Sequence, residues 1–126
     1  VCHRPIHLNV FSEKKLPQTY KYVVEWYRSD AEKGDVAAQF NLGMAYHDGE
    51  IIEQDYAQAA KWYLKAAEQG DDTAQFFLAC LYSAGNGVPQ STEEAVKWAR
   101  MAAEQGNKLA IDTLASIEDD IDGLLK

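Results

Sequence analysis

Cysteine and proline are scarce in this chain, with two of the first and three of the second in 126 residues. Two cysteines cannot build a disulfide scaffold. So little proline, beside eight glycines, excludes a collagen-like or linker-like chain. No apolar run approaches the ~18 residues that a membrane-spanning helix needs, so no membrane insertion is expected. No basic start followed by an apolar core marks a secretory leader. Basic residues are the minority, 12 Lys and Arg against 20 Asp and Glu, for a net charge of −8. That deficit argues against nucleic acid as a partner, because neutralising phosphates requires a basic surface. The deficit is uneven: residues 1–30 carry +2 and the remainder −10. What is plentiful is apolar content, 47% of the chain, which is enough for a packed core and excludes general disorder. The length suits a single domain.

The chain repeats itself. With Ala31–Ala66 written above Ala67–Ala102, 15 of 36 positions are identical without a gap, among them Gly34, Asp35, Gln39, Phe40, Leu42, Tyr46, Gly49, Gln54 and Trp62. The register continues forward, since Ala103-Glu104-Gln105-Gly106 repeats Ala67-Glu68-Gln69-Gly70. It also runs backward: Trp26-Tyr27 precedes Trp62-Tyr63 by one period, and Leu16-Pro17-Gln18-Thr19 precedes Val88-Pro89-Gln90-Ser91 by two. The division expected is a degenerate unit at 1–30, full units at 31–66 and 67–102, and a partial unit at 103–126.

Each unit reads as two helices. Asp35, Asp71 and Asn107 suit the N-cap of the first, because a side-chain oxygen there accepts from free backbone amides. Ala38, Leu42, Ala45 and Tyr46, with Ala74, Leu78, Leu81 and Tyr82, recur at helical spacing. Gly49 and Gly85 suit the left-handed residue that ends such a helix. Thr19, Asp55 and Ser91 open the second helix, Ser91 and Glu94 as a capping box. Its buried face comprises Ala59, Ala60, Trp62, Tyr63 and Ala66, then Ala95, Val96, Trp98, Ala99 and Ala102. Gly34, Gly70 and Gly106 close it. One such pair cannot bury its apolar face alone, so stacking supplies the core.

The pattern Ala-Glu-x-Gly-Asp-x-x-Ala-Gln-x-x-Leu-Gly-x-x-Tyr-x-x-Gly followed by Ala-x-x-Trp-Tyr-x-Lys-Ala resembles the Sel-one-like repeat, a relative of the tetratricopeptide repeat, over residues 16–117. The resemblance implies an all-α, right-handed α/α solenoid of about three and a half 36-residue units. It implies a non-enzymatic protein–protein interaction module or adaptor. A bacterial immunity protein that neutralises a toxic effector is the alternative within that class, and a hydrolase or penicillin-binding enzyme the alternative outside it. Secreted relatives with penicillin-binding activity carry a cysteine pair in each repeat, and this chain does not. A soluble bacterial protein, periplasmic or cytoplasmic, is what the resemblance suggests, with a monomer favoured. Three departures stand out: Ile51 where the second unit has Gly87, Ala79 where the first has Gly43, and Glu118 in the slot of Tyr46 and Tyr82. The loop after Gly49 is therefore expected to differ from the one after Gly85.

Candidate chemistry is sparse. His3, His7 and Cys2 could begin a zinc site, but Pro5 interrupts the helix and no fourth ligand is near. Residues 1–18 are expected to form an irregular or extended cap, although the repeat register would put Cys2, Ile6 and Val10 on the core face of a helix. Glu118–Gly123 has too little chain after it for a calcium loop. Cys2 and Cys80 fall two units apart, beyond bridging distance when helices stack ~8–10 Å apart. No nucleophile motif or phosphate loop is present, and no metal or cofactor is expected.

In the tetratricopeptide geometry the first helix of each unit lines a concave groove. That places Phe40, Met44 and His47 in one stripe at i, i+4 and i+7, Phe76, Cys80 and Ser83 in the next, and Asp112 in the last. Ala37, Thr73, Leu109 and Ser116 flank these positions. The stripes are the candidate partner-binding face, soft, apolar and acid-flanked, and suited to a basic protein partner. A second reading stands beside it: Phe40 and Phe76 recur at the same slot and could simply pack between units.

Overall fold

The computed structural model describes residues 18–125, with side chains described for 21–117 and Asp119. Six helices and no strand make up the described chain: α1 (Gln18–Glu32), α2 (Val36–Asp48), α3 (Tyr56–Glu68), α4 (Asp72–Ala84), α5 (Thr92–Glu104) and α6 (Lys108–Leu125). The principal packing runs between consecutive helices, so the chain folds back and forth into a helical solenoid. The expectations for Cys2, His3, Ile6, His7 and Val10 lie outside the described residues.

Local chemistry sets the boundaries. Asp35 accepts from the amide of Ala38 at 2.8 Å. Asp71 accepts from Ala74 at 2.7 Å, and Asn107 from Ala110 at 2.9 Å. Each satisfies a backbone donor that the first helical turn leaves free. Asp55 and Ser91 cap α3 and α5 in the same way. Gly49 and Gly85 end α2 and α4 with φ of +71° and +74°. Glycine enters that region without a Cβ penalty. Two expectations need correction. Thr19 does not open its helix, because α1 already begins at Gln18. The capping box at Ser91 is one-sided: the Ser91 N–H donates to the Tyr82 carbonyl at 3.0 Å, and the Glu94 carboxylate faces Lys97 at 3.6 Å.

The loops 49–55 and 85–91 close alike. Asp55 and Ser91 donate their N–H to Tyr46 and Tyr82, and the amides of Gln54 and Gln90 reach the carbonyls of His47 and Ser83. They differ where the sequence differs. Gly87 has φ of +76° and lies against the backbone of Tyr56, leaving no room for a Cβ. Ile51 keeps negative φ and packs with Ile52 on the core around Trp62.

That core is mostly alanine. Ala59, Ala66, Ala74, Ala99, Ala102 and Ala110 are fully buried, which lets neighbouring helices approach closely, while Leu42, Leu78, Tyr63, Trp62 and Trp98 fill the larger gaps. Interiors of this density leave few voids. Val96, Tyr46 and Tyr82 are only half-buried. Two buried glutamines cross-link the stack. Gln39 donates to the Ala31 carbonyl at 3.1 Å and accepts from Gln69 at 2.8 Å. One period later Gln75 donates to Ala67 at 3.1 Å and accepts from Gln105 at 3.0 Å. Gln69 and Gln105 also reach the carbonyls of Gly34 and Gly70. Both polar groups of each buried amide are thereby satisfied inside an apolar core.

Candidate partner-binding face

Helices α2, α4 and α6 carry the predicted stripes. Phe40 is half-buried, its ring 5.8 Å from Tyr63 of α3 and 5.9 Å from Phe77 of α4. Phe77 stacks on Tyr63 at 5.6 Å and an interplanar angle of 16°, and Phe76 meets Phe77 edge-on at 5.6 Å. His47 closes the group. Its ring approaches those of Tyr56, Tyr63 and Phe77 at 5.6 to 6.1 Å, and its Nδ1 lies 3.3 Å from the Tyr63 hydroxyl. Burial, with the charge of Asp48 second, pushes the Tyr63 phenol far above the usual tyrosine range, since both disfavour the phenolate. The phenol is thus neutral and donates to Nδ1 when that nitrogen carries no proton.

Three of the predicted residues, Phe40, His47 and Phe76, therefore share one aromatic cluster that spans two units. Met44 packs on the same buried core as Phe40 and Phe77 and also lines a recess of about 180 Å³ with Tyr27, Asn41 and Ile51. Cys80 and Ser83 are exposed and line a different cavity of about 190 Å³ with Ala79, Ala99, Thr113 and Ile117. Local burial pushes the Cys80 thiol up, because desolvation disfavours the thiolate. Asp112 is exposed on α6. Among the described residues no group of three or more His, Cys, Asp or Glu side chains converges as a metal cluster would.

Sequence reasoning passed over Phe77 and the central place of Tyr63. The signal was present in the columns of the repeat that do not match. Phe77 stands in the slot of Asn41, and Ala99 in the slot of Tyr63.

No helix among the described residues is long and apolar enough to cross a membrane. No curated protein matches the chain. Among solved structures it is similar to c5321, a protective antigen of uropathogenic Escherichia coli displaying an SLR fold, at 44% identity over 76% of this chain and 21% of that one, TM-score 0.68. It is similar to a Sel1 repeat protein from Oxalobacter formigenes at 38% identity, covering 76% and 28%, TM-score 0.75. It is also similar to Helicobacter pylori cysteine rich protein B, at 26% identity, covering 75% and 71%, TM-score 0.70. The chain thus spans between a fifth and a third of the length of the first two. The Sel1 repeat model matches residues 36–71 and 72–107, more than half of the chain and in the 36-residue period seen above. With the helical solenoid, those two matches make this chain a member of the Sel1 repeat family, whose proteins are generally protein-interaction modules.

Proposed function

We propose that this chain is a non-enzymatic adaptor that grips a segment of another protein across α2, α4 and α6, at Phe40, Met44, His47, Phe76, Cys80, Ser83 and Asp112. The observation that carries this reading is the juxtaposition of a half-buried aromatic cluster with an open apolar cavity on consecutive repeats. Aromatic anchors beside a cleft supply most of the affinity at protein interfaces. The net charge of −8 suits a basic partner and speeds its encounter.

The test is affinity capture from the native lysate with the intact chain and with a surface variant, Phe76→Asp with Asp112→Lys. One stoichiometric partner, retained by the native chain and lost by a variant of unchanged helicity, is the expected result. Equal retention by both would remove the reading.

A further inference from the structure

The geometry points to the cavity between α4, α5 and α6 as a receptor for an aromatic side chain that a basic segment of another protein presents. This deepens the proposed partner-binding reading, rests on it, and narrows it to one anchor.

Moving the aromatic cluster forward by one period sends Gly43 to Ala79, His47 to Ser83, Tyr63 to Ala99 and Phe77 to Thr113. Those four residues all line the 190 Å³ cavity. The space that Tyr63 and Phe77 fill in one repeat is therefore left open in the next, because both rings have been replaced by small side chains. The two surroundings are built on the same helix pairs in the same register. The filled copy shows what the open copy accommodates: a planar ring inserted between consecutive first helices, in the place that the stacked rings of Tyr63 and Phe77 take one period earlier.

Size and chemistry agree. An apolar cavity of roughly 150 Å³ is enough to hold a benzene molecule. This one, somewhat larger, has room for a phenyl or phenol ring. Ala79, Ala99 and Ile117 give apolar walls. Ser83 occupies the slot of His47, which receives the Tyr63 hydroxyl in the filled copy, so a hydroxyl is placed to meet a phenol here. Charge specifies the flanks. On α6, whose Thr113 and Ile117 line the cavity, Asp112 and Asp119 are exposed. A ring entering beside α6 is therefore attracted when its neighbours in the partner sequence are lysine or arginine.

The test uses a blocked tripeptide, Lys-(4-fluorophenylalanine)-Lys, followed by fluorine NMR against the full chain. Saturable binding is expected at millimolar peptide, with slower alkylation of Cys80 by iodoacetamide in its presence. The double variant Ala79→Gly/Ala99→Tyr rebuilds the filled copy, and is expected to keep its helical circular dichroism and weaken binding by about tenfold or more. Thr113→Phe, which restores the other ring, serves as the second variant should the first not fold, with the same loss expected. The analogue Glu-(4-fluorophenylalanine)-Glu is expected to bind several-fold more weakly at low salt.

No saturable binding to the native chain overturns the inference, as does undiminished binding to a folded, filled variant. Equal binding of the Glu-flanked analogue overturns the basic-segment assignment. Self-association that scales with protein concentration and vanishes in the filled variant assigns the cavity to a second copy of this chain and overturns the partner. A captured partner whose retention ignores the filling substitutions leaves the broader face standing and removes only the cavity's role.

Discussion

The ring of Tyr63 occupies the space that any side chain at Gly43 would need. A methyl group at position 43 would sit 2.7 Å from Tyr63 Cδ1 and 2.8 Å from Cε1, inside van der Waals contact. The ring is itself fully buried and stacked on Phe77, which limits its retreat. Glycine in mid-helix costs ~1 kcal/mol relative to alanine, and here the ring it admits offsets that cost. The second unit carries the opposite pair, Ala79 with Ala99, so the two positions change together between repeats.

Gly43→Ala is therefore expected to destabilise by about 1 kcal/mol, because overpacking of ~1–3 kcal/mol outweighs the gain in helix propensity. In a Tyr63→Ala background the same substitution should be neutral or stabilising. Urea unfolding of the four members of this cycle checks it, and additive effects would contradict the contact.

Tyr63 also predicts an alkaline weakness. Its folded-state pKa is raised. Its contribution is therefore fully present below the unfolded tyrosine value of about 10 and is lost as pH rises above that value. Thermal melts from pH 8 to 11 should show a smaller alkaline loss in Tyr63→Phe than in the native chain. Parallel curves would mean that the phenol stays solvated.

The glutamine relay has unequal members. Gln75 is 1% exposed, and its removal takes from the Ala67 carbonyl one of two donors, the other being the Gly70 N–H, and empties a fully buried site. The expected cost of Gln75→Ala is about 1–3 kcal/mol, from the lost hydrogen bonds and the cavity left in the core. Gln105 is exposed and can exchange its partners for water, so Gln105→Ala should cost under ~1 kcal/mol. Chemical denaturation ranks the two, and hydrogen exchange should report faster opening of the 69–71 loop in the first.

Phe40 and Phe76 share a repeat slot but not a role. Phe40 contacts rings on two other helices, whereas the ring contact of Phe76 is with its own neighbour Phe77. Phe40→Asp is expected to lower the melting temperature by several degrees more than Phe76→Asp. Differential scanning calorimetry decides, and equal shifts would show that the two rings are equivalent.

These contrasts mark what the sequence could and could not disclose. Helix ends were legible because single residues dictate them: Asp35, Gly49, Asp71 and Gly85 act through their own oxygen or their own φ. Buried faces were legible because alanines at helical spacing have few alternatives. Gln39 and Gln75 were visible only as identities, since their bonds reach residues 8 and 30 positions away that no local pattern connects. Grouping Met44 with Phe40 and His47 assumed that one helix stripe meets one environment. In the structure, Tyr63 and Phe77 hold the outer two by ring contacts, while Met44, on the same core, also lines a recess that the other two do not.

The glutamine relay is directional, and the sequence ends it. Each buried amide accepts from the glutamine that closes the following repeat, so every link fastens a later turn of the solenoid to an earlier one. The next slot in the series, one period after Gln75, is occupied by Ile111, which has no amide and is 45% exposed. The amide series stops at Gln105, and α6 is tied back by a different pair, Asn107 at its N-cap donating to the Asp72 carboxylate at 2.9 Å. The helix so attached is the one that forms a wall of the open cavity. The ladder therefore changes chemistry at its last described step, from amide on amide to amide on carboxylate, and that step alone carries a charge-assisted bond.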